Sequence, residues 1–195
     1  MIKAENISKK YEGKTVIENF SFDFPDKGIV SVVGKSGSGK TTLIKILAGL
    51  VKPDGGRLEK KKNPLILSMV FQEDRLLKWE SAIDNAAISS EKNGAVKSEV
   101  YEKARAILKE LDLAEDIDTK VSELSGGMAR RTAIARALTV DADIYFMDEP
   151  IKGLDAETAR KTLEVIKKYT AEKLLVIATH NQNEIDMADF VVNVC

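Results

Sequence analysis

Apolar and polar residues alternate along 2–8 and again along 15–24, where Val16, Ile17, Phe20, Phe22 and Phe24 mark the apolar positions and Glu12-Gly13 falls between. Alternation broken by a glycine-containing turn predicts an antiparallel strand pair. Residues 28–33 are a short continuous apolar run and predict a strand, followed by a glycine-rich stretch and a helix over about 40–50. Pro53-Asp54-Gly55-Gly56 predicts a turn, and 65–71 another strand.

From about 79 to 135 the strand signal disappears. Within that stretch, 98–113 places Val100, Ala104, Ile107, Leu108 and Leu111 on one helical face, which predicts a helical insertion. Strand character returns at 144–147, at 174–178 and in a terminal strand over 189–194. A helix over about 156–169, which Asp155 can cap, separates the first two of these. Alternating strands and helices imply right-handed crossovers and a mainly parallel sheet. The expected class is therefore α/β: a mainly parallel sheet with an antiparallel β subdomain and a helical insertion. We expect one domain over 1–195, its helical subdomain at about 79–135.

Composition narrows the choice of class. With 195 residues, 44% of them hydrophobic, the chain can fill one continuous core. Thirty Lys and Arg against thirty-one Asp and Glu leave a net charge of -1, so no global field draws it to nucleic acid or anionic lipid. The Lys60-Lys61-Lys62 run reads as a solvated loop. The longest apolar runs, 65–71 and 173–178, fall far short of the roughly 20 residues a membrane helix needs. The N-terminus lacks the apolar stretch of a secretory signal, and a single cysteine cannot form an internal disulfide, so a reducing cytoplasm is the expected setting. That cysteine, Cys195, is the last residue, a poor place for a catalytic thiol.

Chemistry enters with Gly34-Lys35-Ser36-Gly37-Ser38-Gly39-Lys40-Thr41, which fits G-x-x-x-x-G-K-[ST] and lies between a predicted strand and a predicted helix. Glycines there let backbone N–H groups turn inward around a β-phosphate, Lys40 can reach the β and γ oxygens, and the Thr41 hydroxyl can ligate Mg²⁺. Thr42 is counted with this nucleotide-binding loop. Downstream, Ile144-Tyr145-Phe146-Met147-Asp148-Glu149 is an apolar strand ending in two carboxylates. That geometry brings Asp148 to the metal shell and places Glu149 one residue beyond, where a carboxylate can orient or deprotonate the attacking water. General base catalysis of this kind contributes roughly 10²–10⁴ in rate.

Leu124-Ser125-Gly126-Gly127-Met128, in order with the two motifs above, resembles the signature of the ATP-binding-cassette (ABC) ATPases, with Met128 where Gln is usual. The resemblance runs from Tyr11 to the terminal strand. It implies that Tyr11 stacks on adenine, that Gln72 senses metal and water, and that Asp155 belongs to a loop crossing between subunits. It also implies that His180, the only histidine, hydrogen-bonds the γ-phosphate. Ser125, Gly126 and Gly127 would complete the phosphate site of a second copy. ATP and Mg²⁺ are the implied ligands, and a head-to-tail homodimer whose interface ATP bridges is the implied assembly.

Residues 70–79 resemble importer ATPases for nitrate, sulfonates, taurine and pyrimidine precursors, which share a Gln-Glu, Arg-Leu-Leu, Trp pattern, although Lys78 replaces the usual proline. Transmembrane permease subunits, an extracytoplasmic substrate-binding protein and a peripheral position on the inner face of the cell membrane follow as expectations. Fifteen residues follow His180, so no appended substrate-sensing domain is expected. Two other readings stay open: a soluble ABC ATPase such as the iron–sulfur assembly type, and a nucleotide-gated scaffold without turnover.

Overall fold

The computed structural model describes residues 2–60, 64–90 and 97–194. Lys61, Lys62 and Cys195 lie outside them. The chain separates into two compact units: 1–67 with 143–149 and 172–195, and 68–142 with 150–171.

In the first unit, β1 (Ile2–Tyr11) and β2 (Lys14–Asp23) pair antiparallel around the Glu12-Gly13 turn, as the alternation predicts. A third strand, β4 (Gly55–Lys60), adds to the other edge of β1, giving the order β2-β1-β4. This strand was not expected. Its sequence, GGRLEK, opens on the two glycines that signal a turn, and its backbone pairing with β1 rather than any apolar alternation holds it extended.

Four further strands of this unit, β3 (Gly28–Val33), β6 (Ile144–Asp148), β7 (Leu174–Thr179) and β8 (Phe190–Asn193), lie in the order β6-β7-β3-β8 with every neighbouring pair parallel. All residues of β6 and β7 are buried, as in a parallel sheet covered on both faces, which is why these segments read as unbroken apolar runs. Helix α1 (Lys40–Leu47) follows β3 and buries Leu43, Ile44, Ile46 and Leu47. It stops three residues short of the expected 50, because Gly49 N–H closes on Ile46 O at 2.9 Å and Leu50 N–H on Lys45 O at 2.8 Å. A short α6 (Gln182–Asp186) precedes β8.

The second unit opens with β5 (Leu67–Val70), shorter than the expected 65–71, and is otherwise helical. Helices α2 (Ala82–Ile88), α3 (Ser98–Glu110) and α4 (Gly126–Thr139) pack on one another, and α5 (Ala156–Thr170) packs on α4. The α3 face is the one predicted: Ala104, Ile107 and Leu108 are buried, with Leu111 just beyond the helix. Asp155 caps α5, its carboxylate accepting from the N–H groups of Glu157 and Thr158 at 3.1 and 3.0 Å.

Candidate functional site

The phosphate loop sits where its spacing predicts, between β3 and α1. Its last glycine is dictated by two constraints at once. Gly39 has φ 99°, and a Cβ there would lie 2.6 Å from Val16 O of β2. Gly39 brings no side-chain cap to α1, and the first turn of that helix carries no acidic residue. The helix therefore begins with backbone N–H groups and the positive end of its dipole, a combination that suits a phosphate oxygen.

Lys40 is buried, and its ammonium donates to Gly34 O at 2.9 Å and Lys35 O at 3.0 Å. Two loop carbonyls thus hold the charge beside the turn that would enclose a phosphate. The Ser38 hydroxyl is buried with no hydrogen-bond partner among the described residues. An orphaned polar atom inside a phosphate loop fits a site shaped for a polar ligand.

Asp148 ends β6 and is 2% exposed. Its Oδ2 accepts from the Thr41 hydroxyl at 2.7 Å, bringing the hydroxyl and the carboxylate proposed for metal binding together. Both are hard oxygen donors of the kind Mg²⁺ takes, so the donor chemistry fits that ion.

Glu149 adopts φ 49°, a left-handed conformation that costs a non-glycine residue roughly 1–2 kcal/mol. Its N–H donates to Ala178 O at 2.9 Å. His180, which follows β7, donates from Nδ1 to Glu149 Oε1 at 2.8 Å, leaving Nε2 for a second partner. Glu149 is mostly buried and His180 largely exposed.

The turn carrying His180 is braced from below. The Thr179 hydroxyl donates to the buried Glu184 carboxylate and accepts from Asn181 N–H at 2.8 Å, while the Ser31 hydroxyl donates to Glu184 O at 3.0 Å. Tyr11 ends β1 and is 45% exposed, and Lys9 Nζ lies 5.4 Å from its ring centroid. The first unit thus brings Lys40, Thr41, Asp148, Glu149 and His180 into one hydrogen-bonded neighbourhood.

Gln72, Ser125, Gly126, Gly127 and Asp155 belong to the second unit. Gln72 is exposed just after β5. Ser125 caps α4, its hydroxyl oxygen accepting from Met128 N–H at 3.3 Å and leaving its own proton to donate elsewhere. Met128 enters this cap through its backbone, so exchanging Gln for Met leaves the cap unchanged. A Cβ on Gly127 would come within 3.3 Å of Leu154, the residue before Asp155, so the glycine turn and the 151–155 loop pack closely.

Sequence reasoning missed three polar devices of this unit. Asn85, fully buried in α2, accepts from Leu77 N–H at 2.8 Å and donates to Leu77 O and Ser81 O at 3.0 and 2.9 Å. Arg130, 5% exposed, donates to Pro150 O, Phe71 O and Asp74. Arg136 donates to Arg75 O and Asp74 O, both at 2.7 Å, and burial pulls its guanidinium below the ordinary value against the opposing pull of Asp74. The signal available was three arginines, Arg130, Arg131 and Arg136, in a helix otherwise made of small and apolar residues and two threonines, where a buried charge must find acceptors.

Comparison with known proteins bears on the family. A family model described as ABC transporter matches residues 17–152. The chain is 34% identical over 194 residues to the taurine import ATP-binding protein TauB of Pseudomonas entomophila, covering 94% of this chain and 74% of that one. It is 33% identical over 189 residues to the aliphatic sulfonates import ATP-binding protein SsuB of Corynebacterium glutamicum, covering 95% and 76%. The solved dimeric post-hydrolysis state of the ATP-binding cassette MJ0796, bound to ADP and Pi, superposes with a TM-score of 0.88 at 28% identity, over 100% of this chain and 94% of that one. A glycine loop on a helix start, an acidic pair at a strand end and a matching family model over most of the sequence lead to one assignment: the chain belongs to the ABC transporter family.

Proposed function

We propose that this chain binds ATP and hydrolyses it to power import of a solute across a membrane, as one of two ATPase subunits attached to transmembrane permease subunits. The observation that carries the reading is the cluster in the first unit. Lys40 lies against the loop that would wrap the phosphates, Thr41 bonds Asp148 at 2.7 Å, and Glu149 bonds His180 at 2.8 Å. These are the groups that triphosphate cleavage needs: a charge clamp, two metal ligands and a base with its orienting partner.

In this reading Lys40 and the N–H groups of residues 34–42 hold the phosphates, and Tyr11 stacks on the base. Thr41 and Asp148 would hold Mg²⁺, which would supply charge neutralisation to the phosphates, and Gln72 is assigned the sensing of metal and water. Glu149 accepts a proton from the attacking water, and His180 reaches the γ-phosphate through its remaining ring nitrogen. Ser125, Gly126, Gly127 and Asp155 serve the nucleotide of a second copy, so ATP joins two protomers and its cleavage releases them. The two compact units act as one ATPase domain.

Similarity to the taurine and sulfonate import proteins supports import of a small solute selected by an extracytoplasmic binding protein. No helix among the described residues is long and apolar enough to cross a membrane. We place the chain at the inner membrane face through contact with the permease, for which exposed Trp79 is suited.

The test is Glu149→Gln. Steady-state turnover is expected to fall at least tenfold while ATP-dependent dimerisation, read by size-exclusion chromatography, strengthens. Unchanged turnover would refute the role of Glu149, and a chain that stays monomeric at saturating ATP and magnesium would refute the shared site. Co-purification with a multi-spanning permease supports transport; recovery with soluble partners alone overturns it.

A further inference from the structure

We propose that Arg130 is a positioning residue that ties the segment carrying Gln72 to the helix that begins at Ser125-Gly126-Gly127, so that a change felt at one is delivered to the other. The inference rests on the nucleotide-site roles proposed above for Gln72 and Ser125.

Arg130 lies in the second turn of α4, five residues beyond the Ser125 cap. It is almost fully buried, and a buried guanidinium is kept only where acceptors surround it. Three are present. Nη1 donates to Phe71 O at 2.6 Å, the carbonyl immediately before Gln72, and to Asp74 Oδ1 at 2.9 Å. Nε donates to Pro150 O at 3.0 Å, the carbonyl immediately after Glu149. One planar group thus holds both sides of the Gln72 position and the residue that follows the acidic pair.

The segment it holds is itself stiff. The Arg75 guanidinium carbon lies 4.1 Å from the Phe71 ring centroid, Arg75 adopts φ 49°, and Arg136, six residues further along α4, donates to the carbonyls of Asp74 and Arg75. Residues 71–75 are therefore held to α4 at both ends, by two arginines of the helix that presents the glycine turn. A segment fastened in this way cannot shift alone; α4 must move with it or the donors must part. A lysine at 130 would keep the charge but could not direct donors to Pro150 O and Phe71 O from one rigid plane.

The experiment is a double-mutant cycle on the full chain at saturating Mg²⁺ and varied ATP, using Arg130→Lys and Gln72→Ala. Arg130→Lys alone should lower kcat five- to tenfold with KM for ATP within about twofold, because the lysine and loop contacts of the first unit are untouched. In the Gln72→Ala background the same exchange should lower kcat less than twofold further, since Arg130 acts through that segment. Asp74→Ala, which leaves the arginine in place and removes its side-chain acceptor, should reproduce the kcat loss and provides the answer if Arg130→Lys does not fold. Effects that multiply in full across the cycle, or an equal kcat for Asp74→Ala and wild type, overturn the proposal. If Gln72→Ala by itself leaves kcat unchanged, the assigned role of Gln72 fails first and the proposal falls with it.

Discussion

Two glycines of the phosphate loop make a controlled comparison. Gly37 and Gly39 both have positive φ, 79° and 99°, so alanine at either must enter a left-handed conformation. That costs roughly 1–2 kcal/mol, offset by the roughly 0.4–1 kcal/mol that alanine contributes by restricting the unfolded chain. At Gly37 nothing lies within 4 Å of the added Cβ, so the balance is the whole effect, about 0.5–1 kcal/mol. In a chain of this size that lowers Tm by roughly 1–4 °C.

At Gly39 the Cβ would sit 2.6 Å from Val16 O, 3.0 Å from Val16 Cγ1 and 3.2 Å from Ile17 Cγ1. The nearest atom is backbone, between the Lys10–Thr15 and Lys9–Ile17 pairs of β1 and β2, and cannot rotate aside. Overpacking adds about 1–3 kcal/mol, so Gly39→Ala should cost about 2–4 kcal/mol in all. That corresponds to roughly 4–16 °C. Thermal unfolding followed by circular dichroism without nucleotide measures this directly, since ATP contacts then make no contribution. Losses for the two variants that agree within 2 °C would show that the Val16 contact does not govern Gly39.

Two other outcomes are expected. Asn85→Ala should leave the part-buried Leu77 N–H and carbonyl without this partner, and at about 1–3 kcal/mol per group the urea midpoint should fall by the equivalent of at least about 2 kcal/mol. Trp79, the only tryptophan, lies within the 77–81 loop that Asn85 organises, so its emission should change too; an unmoved midpoint would refute the role. The Tyr169 hydroxyl is raised to about 12, by burial first and then by donation to Glu110 at 2.9 Å. Its contribution to stability is thus complete below the ordinary value of 10.0 and is lost as pH rises through about 12. In a phenolate absorbance titration, Tyr169→Phe should remove the step near pH 12, and loss of a step near 10 instead would contradict the environment described.

Much of the chain was legible locally, because the physics in those places is local. Residues 144–147 and 174–178 are unbroken apolar runs, and 28–33 is interrupted only by Ser31, because both faces of a parallel strand are covered, and each is a strand. The 3.6-residue spacing in 98–111 and the Asp155 cap are properties of single helices, readable without a partner. The glycine spacing of 34–41 constrains the backbone regardless of what surrounds it. Tertiary structure alone decided what depends on approach between distant segments. The strand Gly55–Lys60 exists because β1 offers it an edge, not because its own residues favour one. Thr41 meets Asp148 across 107 positions, and Arg130 meets Phe71 across 59. Composition can supply a donor and an acceptor, but only the packed chain sets the distance between them, and a hydrogen bond depends on that distance.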